Sequence, residues 1–256
     1  MYPELFTIPF LGWPVSSFGA AMAVAFLVGY WIALPRMREE GLDPEDGANM
    51  LIWIMIGGVL GSKLYYAVDV TLRGEGFFFA SLFARAGMTF YGGLMGGALA
   101  GMAGCRFYKI ALIPFANSVA ASLAIGQAIG RIGCFLVGDD YGRATDVPWG
   151  IAFPNGLPPV DHPVHPTQLY EFGWLSLVTL LLWRRRGSSP SLIGEYLVLN
   201  GAGRMLIEHW RVNPRVALGL SEAQWIGAGL VTLGIVLWLV ALRGAGDQVE
   251  AASSRS

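Results

Sequence analysis

The sequence predicts an all-α integral membrane protein of seven transmembrane helices, with its N-terminus outside and its C-terminus in the cytoplasm. Three observations predict it. Of 256 residues, 54% are hydrophobic and only 14% charged, where a soluble chain carries nearer a quarter. Apolar runs of about twenty residues recur, each long enough to cross about 30 Å of hydrocarbon. Basic residues collect in alternate turns between those runs, and such turns face the cytoplasm.

The N-terminal MYPELFTIPFLGWP holds Glu4 and no basic residue. It lacks the positive start and small-residue cleavage site of a secretory signal, and reads as mature protein lying in the interface with Trp13. Span one covers residues 16–34 without a charge, and Arg36, Arg38, Glu39, Glu40 and the turn Gly41-Leu42-Asp43-Pro44 follow. Span two covers 48–68 and includes Lys63; residues 69–85 read as a loop with an apolar patch at Phe77-Phe78-Phe79. Span three, 86–105, carries Gly92, Gly93, Gly96, Gly97, Gly101 and Gly104, small residues that let helix backbones approach closely in lipid.

Arg106 and Lys109 make a basic turn, and span four, 110–130, ends at Arg131. A long polar connection runs from 133 to about 166. Span five, 167–183, begins with Gln168 and Glu171 and stops at Arg184-Arg185-Arg186. Span six, 192–210, carries Glu195, Arg204, Glu208 and His209; residues 211–222 form a loop; span seven, 223–242, has no charge. The expected organisation is one polytopic membrane domain over 1–243 and a disordered cytoplasmic tail over 244–256, rich in Ser and Ala.

The basic turns after spans one, three, five and seven place the 133–166 connection outside the cell. Cys105 and Cys134 then lie at opposite ends of the bilayer, too far apart for a disulfide. A net charge of −1 gives no bulk attraction to nucleic acid. Three histidines and two cysteines lack the spacing of a zinc cluster.

Residues 130–171 gather the ionisable groups: Arg131, Asp139, Asp140, Arg143, Asp146, Asp161, His162, His165 and Glu171. A membrane protein that collects polar residues at one place does its chemistry there. Arg131, at a helix end, reads equally as a snorkelling side chain. Arg204 lies within a span, where a charge costs at least about 2.5 kcal/mol on insertion scales, and Glu208 one turn on is positioned to neutralise it. Two arginines among apolar helices favour a phosphate site over structural pairing, because guanidinium offers paired donors to phosphate oxygens. Asp139 and Asp140 after Gly138 read as turn chemistry. Thr167 is placed to cap span five, and His165 reads as hydrogen-bonded rather than catalytic. Cys134 reads as a small apolar filler.

Gly130-Arg131-Ile132-Gly133, Gly138-Asp139, Tyr141-Gly142-Arg143, Thr145-Asp146, Pro148-Trp149-Gly150, Phe153-Pro154 and the run His165-Pro166-Thr167-Gln168-Leu169-Tyr170-Glu171 resemble the signature of bacterial prolipoprotein diacylglyceryl transferases. Phe90-Tyr91-Gly92-Gly93-Leu94 and the stretch from Gly203-Arg204 through Glu208 to Arg211 are similar to that family's third-span and sixth-span motifs. The resemblance extends over nearly the whole chain.

The resemblance implies transfer of a diacylglyceryl group from phosphatidylglycerol to the lipobox cysteine of a prolipoprotein signal peptide, at the outer face of the inner membrane, with glycerol phosphate leaving. It implies no metal or organic cofactor, and no nucleic acid or partner beyond these substrates and membrane lipids. The family's two essential arginines correspond to Arg131 and Arg204, its loop acid to Asp139 (usually glutamate), and its loop glycine to Gly142, before Arg143. Cys134, Asn200 and Gln168 complete the expected substrate-binding set. Departures cluster near the reacting thiol: Tyr91 replaces a histidine, Cys134 an asparagine, Asn200 a tyrosine and Phe18 a tyrosine. The general base stays open among Tyr91, Asp139 and Glu208. A paralogue with another acceptor, or a lipid-binding or transport protein, are the competing readings; retention of both arginines favours an enzyme.

Overall fold

The computed structural model describes residues 2–10, 12–84, 89–185, 187 and 189–253, without the side chains of Ile8, Phe90, Tyr91 and residues 245–253. Described in chain order, the elements are β1 (Glu4–Ile8), β2 (Trp13–Ser16), α1 (Ser17–Glu39), α2 (Pro44–Leu72), α3 (Phe78–Phe83), α4 (Phe90–Phe107) and α5 (Leu112–Val137). There follow β3 (Ile151–Phe153), β4 (Val160–Val164), α6 (Thr167–Arg184), α7 (Leu192–Ile207), a 3-10 turn (Glu208–Trp210), β5 (Arg215–Ala217), β6 (Leu220–Ser221) and α8 (Glu222–Ser253). The protein is mostly helical, and α1, α2, α5 and α8 are long and apolar enough to cross a membrane. Their large apolar side chains point outward: Leu27, Trp31, Leu60 and Val240 are all exposed, as lipid-facing residues must be. The strands form three separate antiparallel hairpins, β1–β2, β3–β4 and β5–β6.

Contacts divide the chain into two compact units: residues 34–118, and residues 1–33 with 119–256. In the first, α2 packs on α4 through facing glycines. A Cβ at Gly61 would run into the Gly92 carbonyl and come within 2.7 Å of Gly96 Cα, and one at Gly96 would strike the Gly57 carbonyl. The small-residue pattern of span three therefore has its partner surface on span two. α2 starts where Asp43 caps it, its carboxylate accepting from the Glu45 amide at 2.9 Å, with Pro44 in the first turn.

In the second unit α7 and α8 pack in the same manner: a Cβ at Gly194 would lie 2.8 Å from the Gly234 carbonyl, and one at Gly201 2.5 Å from the Gly227 carbonyl. A buried cluster of Ala120, Ala121, Ala124, Val178, Leu182, Leu192 and Tyr196 joins α5, α6 and α7. These three helices carry the site.

Several sequence expectations shift. α5 continues two turns beyond residue 130 to Val137, because Ile132 to Val137 stay apolar and no breaker comes before Gly138. Arg131 thus projects from the side of a helix rather than its end. Gly138, at φ +79°, terminates α5; its amide and that of Asp139 both bond the Cys134 carbonyl, at 2.8 and 3.2 Å. Residues 78–83, expected within a loop, form α3. Thr167 does not cap α6: Pro166 occupies the cap position with no side-chain bond, and the Thr167 hydroxyl donates instead to the Asp140 carbonyl at 2.8 Å. α8 runs on to Ser253, past the expected end of its span. Cys105 and Cys134 are both free thiols.

Candidate active site

Glu171, on the second turn of α6, is the centre of a cluster of charges. Its Oε1 accepts from Arg204 Nη1 and from Arg211 Nη1, each at 2.9 Å, and its Oε2 meets Arg131 Nε. Arg131 comes from α5, Arg204 from α7 and Arg211 from the residue after the 3-10 turn, so three segments converge on one carboxylate. Glu171 is only 7% exposed. A carboxylate this buried is tolerable because opposite charges surround it.

Two further carboxylates complete the network. Glu208 is 2% exposed; Arg204 Nη2 lies 2.9 Å from its Oε2, and its Oε1 accepts from Asn213 at 2.8 Å and Ser221 at 2.6 Å. Asp140 bridges two arginines, Oδ2 to Arg131 Nη1 at 2.8 Å and Oδ1 to Arg211 Nη2 at 2.8 Å. Burial alone would raise its carboxyl, but the Arg211 and Arg131 guanidiniums outweigh burial and hold it below the usual carboxylate range. The cluster thus sets Arg131, Arg204 and Arg211 against Asp140, Glu171 and Glu208.

Asp139 behaves differently from its neighbour. Burial raises its pKa, Asp140 raises it further, and Cys134, Arg131 and Arg211 offset this only in part. Its Oδ1 is buried without a hydrogen-bond partner among the described residues. Its backbone carbonyl accepts from Gln168 Nε2, and Gln168, 1% exposed, has no partner for its own Oε1 among the described residues. Cys134 Sγ lies 4.0 Å from Arg131 Nη1, and the Cys134, Asp139 and Asp140 ligand atoms lie within 4.8 Å of one another. A cation placed among them would face Arg131 and Arg211, whose charge opposes it.

One turn below the arginines, Asn200 Nδ2 donates to Gln127 Oε1 and to the Tyr196 hydroxyl, both at 2.7 Å. Gln127 precedes Arg131, and Asn200 precedes Arg204, by one helical turn each. This tie between α5 and α7 sets the spacing of the two guanidiniums. Gly142 supplies tight packing rather than a ligand: its amide donates to the His165 carbonyl at 2.8 Å, and a Cβ there would strike the Trp210 carbonyl. Beside it, Arg143 is exposed and joins none of the cluster's ion pairs. Tyr91 lies on α4, but its side chain is outside the described residues.

His165 bonds the Tyr170 hydroxyl through Nδ1 at 3.0 Å, and Trp149 Nε1 donates to the same hydroxyl at 2.7 Å. Burial, then Arg143, push His165 below its ordinary value, leaving the imidazole neutral near pH 7. These rings line an aromatic cleft of about 580 Å³ that continues down Trp174, Leu177 and Leu206; the arginines do not line it.

Of the residues expected from sequence, Arg131, Arg204, Glu208, Asp139, Cys134 and Gln168 come together, and Asn200 joins from below. Sequence reasoning names Glu171, Asp140 and Arg211 but gives none of the three a site role. The signal for Glu171 was available, a carboxylate in the first turns of an apolar span. Asp140 and Arg211 sit in connections, where the turn signal covers Asp140 and only the motif resemblance reaches Arg211.

Fold and cluster define a helical membrane-type protein whose polar site is built from arginines and carboxylates at the ends of apolar helices. Residues 3–240 match the family model described as prolipoprotein diacylglyceryl transferase, and the chain belongs to that family. It is 32% identical over 253 residues to the phosphatidylglycerol–prolipoprotein diacylglyceryl transferase of Clostridium tetani, covering 93% of this chain and 97% of that one. The protein of the same name from Pasteurella multocida is 31% identical, covering 97% and 95%. That of Geobacter sulfurreducens is 32% identical, covering 88% and 90%.

Proposed function

We propose that this chain transfers the diacylglyceryl group of phosphatidylglycerol to the lipobox cysteine thiol of a prolipoprotein, at the outer face of the bacterial inner membrane. In this reading it spans the membrane seven times as a single domain, N-terminus outside, and its tail is cytoplasmic. The observation that carries the site assignment is the convergence of Arg131, Arg204 and Arg211 on Glu171. Arg131 and Arg204 are 23% and 22% exposed, so both are buried enough to act in a low dielectric yet reachable by a headgroup.

The arginines hold the phosphodiester and neutralise the charge that grows as glycerol phosphate leaves. The acceptor thiolate attacks the glycerol carbon, a C–S bond forms, and the C–O bond to phosphate breaks. The thiol proton goes to Asp139. Its raised pKa and its Oδ1, free of any hydrogen bond or ion pair among the described residues, suit it to the task, whereas Glu208 Oε2 is ion-paired with Arg204 and its Oε1 accepts from Asn213 and Ser221. Gln168 fixes the Asp139 backbone, and Gly142 lets the loop close on Trp210.

The test is complementation of a bacterium depleted of its own transferase, with the product scored as diacylglyceryl-modified lipoprotein. The parent chain restores modification. Arg131→Ala and Arg204→Ala abolish it, and Lys does not rescue, since an ammonium cannot reproduce a planar two-pronged contact. Arg143→Ala loses less. Arg204→Ala with Glu208→Gln removes the stranded buried charge. If that double variant regains transfer, Arg204 acted only as a counter-charge to its carboxylates and its phosphate role is wrong.

A further inference from the structure

Every guanidinium of the cluster already has a carboxylate. A lipid phosphate that takes over contacts these carboxylates now hold must displace one of them, and the three are not equally free to move. Glu171 and Glu208 have side chains 7% and 1% exposed, and each is tied to several donors from separate segments. Asp140 has a side chain 48% exposed, and among the described residues its carboxylate pairs with Arg131 and Arg211 alone. It offers one oxygen to each guanidinium, both at 2.8 Å, the pattern that the two non-bridging oxygens of a phosphodiester also present.

The backbone at Asp140 is pinned independently of that carboxylate. Its carbonyl accepts from Thr167 Oγ1 at 2.8 Å and from Arg211 Nη2 at 3.0 Å. Moving the carboxylate aside therefore needs only rotation of the side chain toward water, with no opening of the loop. Its φ of +61° is one that Asp and Asn tolerate better than most residues.

We propose that Asp140 is a displaceable placeholder: its carboxylate spans Arg131 and Arg211 in the empty site, and the phosphate of the lipid donor pushes it out to take the same two contacts. The exchange conserves charge. A phosphodiester monoanion replaces a carboxylate monoanion, and the carboxylate is rehydrated as it leaves. Asp140 keeps two like charges in register while the site is empty, and it competes with the donor for them. The inference rests on the phosphate-gripping role of the arginines given above.

The test is Asp140→Asn, which keeps the shape and the left-handed backbone while removing the charge. Purified protein in detergent micelles is titrated with inorganic phosphate and with glycerol phosphate, and KM for phosphatidylglycerol is measured with a lipobox peptide as acceptor. Asp140→Asn is expected to lower the phosphate Kd and the lipid KM by roughly threefold to tenfold, the scale of a lost competing half-exposed ion pair. Phosphate should also raise the melting temperature of the variant more than that of the parent, which loss of a purely structural contact would not produce. Asp140→Gly, free of any φ penalty, should act alike, and Asp146→Asn, outside the cluster, should match the parent. Unchanged or weaker phosphate binding in both Asp140 variants overturns the placeholder. Arg131→Ala separates the two levels. If it loses phosphate binding while the Asp140 variants match the parent, only the placeholder is wrong; if it binds phosphate like the parent, the arginine assignment falls too.

Discussion

Glu171→Gln is the sharpest probe of how the site is held. The substitution changes no heavy-atom count and little volume. It replaces a carboxylate oxygen with an amide nitrogen, so a donor faces guanidinium donors. In the native site the two oxygens of Glu171 meet Arg131, Arg204 and Arg211, and its side chain is 7% exposed, so water cannot take over its role. Removing one partner from a buried charge network costs about 3–5 kcal/mol. At about 2–4 °C per kcal/mol for a chain of this size, the melting temperature should fall by on the order of 10 °C.

Thermal unfolding in detergent, followed by tryptophan fluorescence, measures that fall. Asp69→Asn is the matched control. Its pair with Arg73 is a surface i,i+4 contact with side chains 37% and 63% exposed, and such pairs contribute little, so its melting temperature should not move measurably. Transfer is then assayed well below the variant's melting point, where the fold is intact. There the guanidiniums have lost their common anchor, and a displacement near 1 Å costs about 10²-fold. A Glu171→Gln protein that melts within about 2 °C of the parent and transfers normally refutes the idea that Glu171 organises the arginines.

Two further outcomes test the frame around the site. Gly142→Ala puts a Cβ against the Trp210 carbonyl and within 2.9 Å of His165 Cβ and Thr167 Cγ2, so it should cost about 1–3 kcal/mol of overpacking and reduce transfer; an unchanged melting temperature would show that the loop relaxes freely. For topology, an impermeant thiol reagent should label a cysteine at Asn155 from outside and one at Ser188 only after permeabilisation, and the reverse pattern overturns the orientation.

The helices were legible because their signal is local and repeated. Long apolar runs predict α1, α2, α5 and α8, while Asp43-Pro44, which reads as a turn in the sequence, is the cap and first turn of α2. What was not legible depends on distant partners. Ending span four at Arg131 follows from the cost of a charge in lipid. That cost disappears once Glu171 and Asp140 arrive from other segments, and α5 then continues to Val137. The β3–β4 hairpin is equally nonlocal. β3 has three residues, and the buried Phe153 stacks on Tyr141 at 5.4 Å and meets Phe135 edge-on at 5.9 Å, contacts no periodicity announces.

The same division runs through the site. Arg204 and Glu208 stand out because an ionised residue inside a span requires a partner, and i,i+4 spacing names one. That reasoning stops one step early, since it treats the pair as complete. Glu208 also accepts from Asn213 and Ser221, and Arg204 also reaches Glu171, so neither charge neutralises the other alone. Asp140 is the harder case. Following Gly138 and Asp139, with φ positive, it has every mark of a turn residue, and in its backbone it is one. Its carboxylate belongs to a different logic: only the folded chain brings Arg211, 71 residues later, to its other side. A turn residue and a site residue are distinguished here by which cations the fold delivers to the side chain. The turn signal in the sequence is silent on that point whichever role the residue has.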